Sequence, residues 1–147
     1  MEKRIPKGVC LFAYNTPQFD YIKLAIVAST YVKKYLNLPV CLITDEHGEK
    51  YYDTEIDEKV KQGSIDYIVK TNDTMKQNVR GHFDSPWTEF RSQFNNSNKH
   101  KIWTYSPFEE TILIDTDYII KTDFLNHCFG GAYKGVAMFD RAISLRN

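Results

Sequence analysis

Apolar residues fall along the chain in two alternating modes, short unbroken runs and longer stretches with helical spacing. Residues 8–14 (GVCLFAY) are apolar, β-branched and aromatic, as a strand buried on both faces requires. Asn15-Thr16-Pro17 breaks the run as a turn or a helix start, with proline suited to the first helical position. From residue 19 to 36 the apolar Leu24, Val27, Ala28, Tyr31 and Tyr35 recur at helical spacing. Lys33 and Lys34 sit in the last turns of that helix, where cations suit the macrodipole, and Pro39 ends it. Residues 40–44 (VCLIT) predict a second buried strand ending at Asp45, and the polar stretch 46–62 predicts a loop with a weak helix over 55–62. Residues 65–69 (IDYIV) predict a third strand, while 70–98, rich in Asn, Asp, Ser and aromatics, have no clear period. A short helix over 99–105 closes at Ser106-Pro107, and 111–114 (TILI) form a fourth strand. Residues 122–129 read as a short helix capped by Thr122 or Asp123 and stopped by Gly130-Gly131. Residues 135–139 (GVAMF) form a fifth strand.

Strands alternating with helices predict an α/β fold, a mainly parallel Rossmann-like sheet with helices on both faces, in a single domain over 1–147. In such sheets ligands bind outside the carboxyl ends of the strands. Asn15, Asp45, Asp115 and Asp140 all fall at predicted strand ends.

The sharpest chemical feature is Leu113-Ile114-Asp115-Thr116-Asp117-Tyr118. On extended backbone, carboxylates at i and i+2 share a face. Their mutual repulsion is relieved by a hard divalent cation that takes oxygen ligands from both and keeps positions open for phosphates. The alternative reading is an Asp-x-Asp triplet that caps the turn after its strand.

The segment Tyr105-Ser106-Pro107-Phe108-Glu109-Glu110-Thr111-Ile112-Leu113-Ile114-Asp115-Thr116-Asp117-Tyr118-Ile119-Ile120 resembles the DxD region of GT-A-fold glycosyltransferases, the family 8-like members above all. In those enzymes a helix and a Pro-containing turn run into the DxD strand. Residues 8–16 are similar to the family's first strand and nucleotide-binding loop, and 40–45 to its second strand. The resemblance implies a metal-dependent hexosyltransferase-type enzyme, moving a sugar from a nucleoside-diphosphate sugar, UDP-sugar first, to a glycan, protein or lipid hydroxyl. It implies Mn²⁺ or Mg²⁺ held by Asp115 and Asp117, with Thr116 between them at the nucleotide-sugar. Ala13, Tyr14, Asn15 and Thr16 would line the base and ribose pocket. Tyr14 then stacks on uracil or is a plain core aromatic. Asp45 reaches the base edge or caps a turn, and Lys99 or Lys101 faces the donor or lies on a solvated helix face. GT-A enzymes generally continue past this point into an acceptor-binding half. The expectation is therefore a donor-binding portion, truncated relative to the family; the alternative is a non-catalytic nucleotide-sugar-binding module. A plain α/β interaction domain and a metal-dependent nucleotidyltransferase are the competing classes.

Composition narrows the partners. Nineteen basic residues balance nineteen acidic ones, so no basic field draws in nucleic acid. No apolar run approaches the roughly 20 residues of a membrane span, and the short apolar stretch after Met1-Glu2-Lys3-Arg4 does not make a signal peptide. Cys10, Cys41 and Cys128 make an odd count with no zinc spacing. Cys10 and Cys41 sit in apolar runs as small hydrophobes, which points to a reducing, cytoplasmic compartment.

Overall fold

The computed structural model describes residues 5–72, 78–85, 88–94 and 99–130. Strand β1 (Ile5–Phe12) leads through a loop into helix α1 (Tyr21–Leu36), and strand β2 (Val40–Thr44) follows. Helices α2 (Glu46–Glu55) and α3 (Glu58–Lys61) precede strand β3 (Tyr67–Lys70). Strands β4 (Asn78–Ser85) and β5 (Thr88–Phe94) pair antiparallel as a separate two-stranded sheet. A 3-10 turn (Lys99–Lys101) and helix α4 (Ile102–Tyr105) enter strand β6 (Phe108–Ile114), and a second 3-10 turn spans Phe124–Cys128. The main sheet has four strands in the order β3-β2-β1-β6, every pairing parallel. This is the expected α/β Rossmann-like arrangement. The fifth predicted strand, with Asp140 at its end, lies outside the described residues.

The all-apolar central strands account for the burial of both faces. Val9, Leu11, Val40 and Leu42 face Ile22, Ala25, Ile26, Val32 and Leu36 of α1 and Tyr52 of α2. Cys10, Phe12, Cys41 and Ile43 face the other way, onto Phe108 and, from α4, Ile102 and Tyr105. Phe108 lies so close over β1 that a Cβ on Gly8 would meet its ring at 2.4 Å.

Several boundaries differ from expectation for identifiable reasons. Helix α1 begins beyond Pro17, because Asp20 caps it by accepting from the Lys23 N–H at 3.0 Å. It ends before Pro39, at Asn37, which adopts φ 52° and donates its N–H to the Val32 and Lys33 carbonyls; asparagine tolerates this left-handed cap. Its buried stripe is Ile22, Ala25, Ile26, Ala28, Ser29, Val32 and Leu36, whereas Leu24 and Val27 are exposed. The stretch after Asp45 is helix rather than loop. It buries little beyond Gly48 and Tyr52, so its apolar period was faint. Gly48 is required there, since a Cβ would stand 2.0 Å from the Thr44 hydroxyl.

Candidate functional site at the carboxyl edge

Strand order reverses between β1 and β6: the chain builds outward from β1 through β2 to β3, then returns to β1's other side. In open parallel sheets the crevice at such a reversal is the general ligand position. Leu11 is paired with Ile114, so the chain leaves both strands side by side. Ala13 to Thr16 emerge from one strand and Asp115 to Asp117 from the other.

The Asp-x-Asp segment is not extended. Strand β6 stops at Ile114, and the Tyr118 N–H bonds back to the Asp115 carbonyl at 3.0 Å. Asp115-Thr116-Asp117-Tyr118 is thus a β-turn, as aspartate at its first position favours. The shared-face argument for the two acids does not hold. The turn keeps Asp115 and Asp117 close in sequence and solvent-exposed, with Thr116 half-buried. Lys99, at the start of the 3-10 turn before α4, forms an ion pair with Asp115 Oδ1. The side chains are 33% and 59% exposed, so a ligand can compete for either. Lys101 lies two residues on and is half-buried.

The loop after β1 divides by depth. Ala13 is buried, and its N–H donates to the Ile43 carbonyl at 3.0 Å. Tyr14 is 6% exposed, its ring stacked on Phe12 and its hydroxyl 3.2 Å from that of Thr71. The structure therefore places Tyr14 in the core, with little of its ring exposed. Asn15 and Thr16 are half-buried at the surface of the loop. Asn15 Oδ1 accepts from the Ile22 N–H at 2.9 Å, and Thr16 Oγ1 accepts from the Phe19 N–H at 3.1 Å. Asp45 takes the capping role, accepting from the Gly48 N–H at 2.7 Å.

Beside this loop opens a cleft of about 290 Å³, lined by Asn15, Thr16, Phe19, Asp20 and Tyr51 among others. The Tyr51 hydroxyl donates to Asp20 Oδ2 at 2.5 Å. Asp20 and Tyr51 were not legible as site residues, because Tyr51 lies on the faintly patterned α2. Burial opposes the Asp20 charge. Hydrogen bonds from the Tyr51 hydroxyl, the Lys23 N–H and the side chains of Asn15 and Lys23 outweigh it and hold its pKa below the ordinary carboxylate value.

Among the described residues no group of three or more His, Cys, Asp or Glu side chains converges on one point. The donor set at the turn is two exposed carboxylates, hard oxygen ligands of the kind Mg²⁺ and Mn²⁺ take together with phosphate oxygens. Two carboxylates leave most of such a cation's shell to other ligands. Among the described residues no helix is long and apolar enough to cross a membrane. Comparison with family models, characterised proteins and solved structures returns no match.

Proposed function

We propose that this chain binds a nucleoside-diphosphate sugar across the carboxyl ends of β1 and β6 and supplies the donor-binding part of a metal-dependent glycosyltransferase. The supporting observation is the pairing of β1 with β6 at the reversal of strand order, which brings the Asp115–Asp117 turn, with Lys99 paired to it, and the Asn15–Thr16 loop to the same edge of the sheet. Asp115 and Asp117 would hold Mn²⁺ or Mg²⁺, which would supply charge neutralisation at the departing diphosphate. Lys99, which pairs with Asp115, would offer its ammonium to a phosphate oxygen. Asn15 and Thr16 carry the polar groups nearest the nucleoside, on a loop whose root is fixed by the burial of Ala13 and Tyr14. A glycan, protein or lipid hydroxyl receives the sugar.

Calorimetry with UDP, GDP and CDP, each with and without Mn²⁺, tests the reading. UDP binding that needs Mn²⁺ and is lost in Asp115→Ala and Asp117→Ala is the expected result. Unchanged Mn²⁺-dependent UDP affinity in either variant overturns it. The Lys99–Asp115 ion pair supports a second reading, a non-catalytic binding module whose acid is neutralised by lysine rather than metal. That module binds the nucleotide-sugar equally well with chelator present and neither hydrolyses nor transfers the sugar.

A further inference from the structure

Cys10 and Cys41 are directly opposite one another on the adjacent parallel strands β1 and β2. Both face the same side of the sheet, with Phe12, Ile43 and Phe108. Neighbouring strands stand about 4.7–4.9 Å apart, inside the Cα separation of roughly 4.4–6.8 Å that a disulfide spans. Cys10 donates to Ser106 Oγ at 3.7 Å, and Cys41 donates to the Leu42 carbonyl at 3.8 Å. Neither cysteine is bridged.

We propose that Cys10 and Cys41 form a dithiol–disulfide site whose oxidant is a hydroperoxide. The two residues are not equivalent. The Cys10 thiol meets Ser106, just after α4, in a part-buried contact, whereas the Cys41 thiol meets the Leu42 carbonyl in a fully buried one. Cys10 is the more accessible of the two and therefore the attacking sulfur, with Cys41 the resolving one. The Cys10 thiolate attacks a peroxide oxygen and the O–O bond breaks. The departing hydroxide takes a proton, and Cys10 becomes a sulfenic acid. The Cys41 sulfur then attacks Cys10, the S–S bond forms and the S–O bond breaks, releasing water. Two thiols and one hydrogen peroxide give one disulfide and two waters, both thiol protons ending in water.

Both sulfurs are fully buried, and buried thiols react slowly unless their cover opens. Part of that cover is Ile102 and Tyr105 of the four-residue helix α4. So short an element opens at little cost. Cys128 belongs to the 3-10 turn whose neighbours Leu125 and Phe129 pack on the opposite face of the sheet.

The test is to treat the folded chain with equimolar hydrogen peroxide, alkylate the remaining thiols and map the peptides by mass spectrometry. Two of the three free cysteines are expected to disappear together, joined as a Cys10–Cys41 bridge that dithiothreitol reverses. Cys128→Ser forms the same bridge, and Cys10→Ser and Cys41→Ser form none. Three alkylated thiols after treatment overturn the proposal, as does a bridge to Cys128 or a sulfinic Cys10 beside a free Cys41. The wild-type map decides the matter even where a variant does not fold.

Discussion

The Tyr14 hydroxyl ties the loop after β1 to Thr71 at the end of β3, and both residues are buried. Removing one partner of such a pair leaves the other without it, at a cost of about 1–3 kcal/mol. Tyr14→Phe is therefore expected to lower the unfolding free energy measured by urea titration by that amount while leaving Mn²⁺-dependent UDP affinity within about twofold. A large loss of affinity with unchanged stability would return Tyr14 to the ligand. The Lys99–Asp115 pair has the opposite character. Exposed ion pairs contribute about 0–1 kcal/mol, so this one does not lock the site. Sequence brought both residues forward, but only the fold shows that 16 positions of separation close into contact. For Tyr14, apolar neighbours on a strand are equally consistent with a core ring and with a ring at its rim. The choice depends on Thr71, whose proximity no local pattern encodes.

Among the elements, α1 and the central strands were legible because their burial leaves a strong period or an unbroken apolar run. Helix α2 was not, since a capping aspartate, one required glycine and one buried tyrosine are its main tertiary marks. The β4–β5 hairpin was equally hidden, since residues 70–98 lack the regular alternation of a half-buried strand. The Asp-x-Asp segment was found but misjudged in conformation, because an apolar run does not show where its strand stops. The N-terminus of α1 carries a pH dependence. Asp20 has a lowered pKa, so its contribution to stability is fully present above the unfolded carboxylate value of about 3.9. That contribution is lost as pH falls through the folded value. Thermal midpoints measured downward from neutral pH should therefore decline below about pH 4. Asp20→Asn, which keeps a capping oxygen, should decline less steeply; equal slopes would remove Asp20 from the acid response.

At the scale of the whole molecule, the balance of charge and the topology constrain each other. A chain with no net charge offers no long-range attraction to a diphosphate, so recognition of the proposed donor would have to be local. Among the described residues the reversal of strand order falls at the β1–β6 edge, where Asp115, Asp117 and the lysine paired with Asp115 lie. Two acids alone repel a diphosphate, and under the proposed function binding there would become favourable only when a cation reverses the local sign. Under that proposal ligand, metal and global stability would be linked. With donor at about 100 times its Kd, binding adds about 2.7 kcal/mol to the folded state. For a chain near 150 residues that corresponds to a rise in thermal midpoint of roughly 5–11 °C. The rise should appear with UDP and Mn²⁺ together, vanish on adding EDTA, return with excess Mn²⁺ and be absent in Asp117→Ala. A UDP-induced rise that survives EDTA would instead show that Lys99 and the loop bind phosphate without metal, as the non-catalytic module requires.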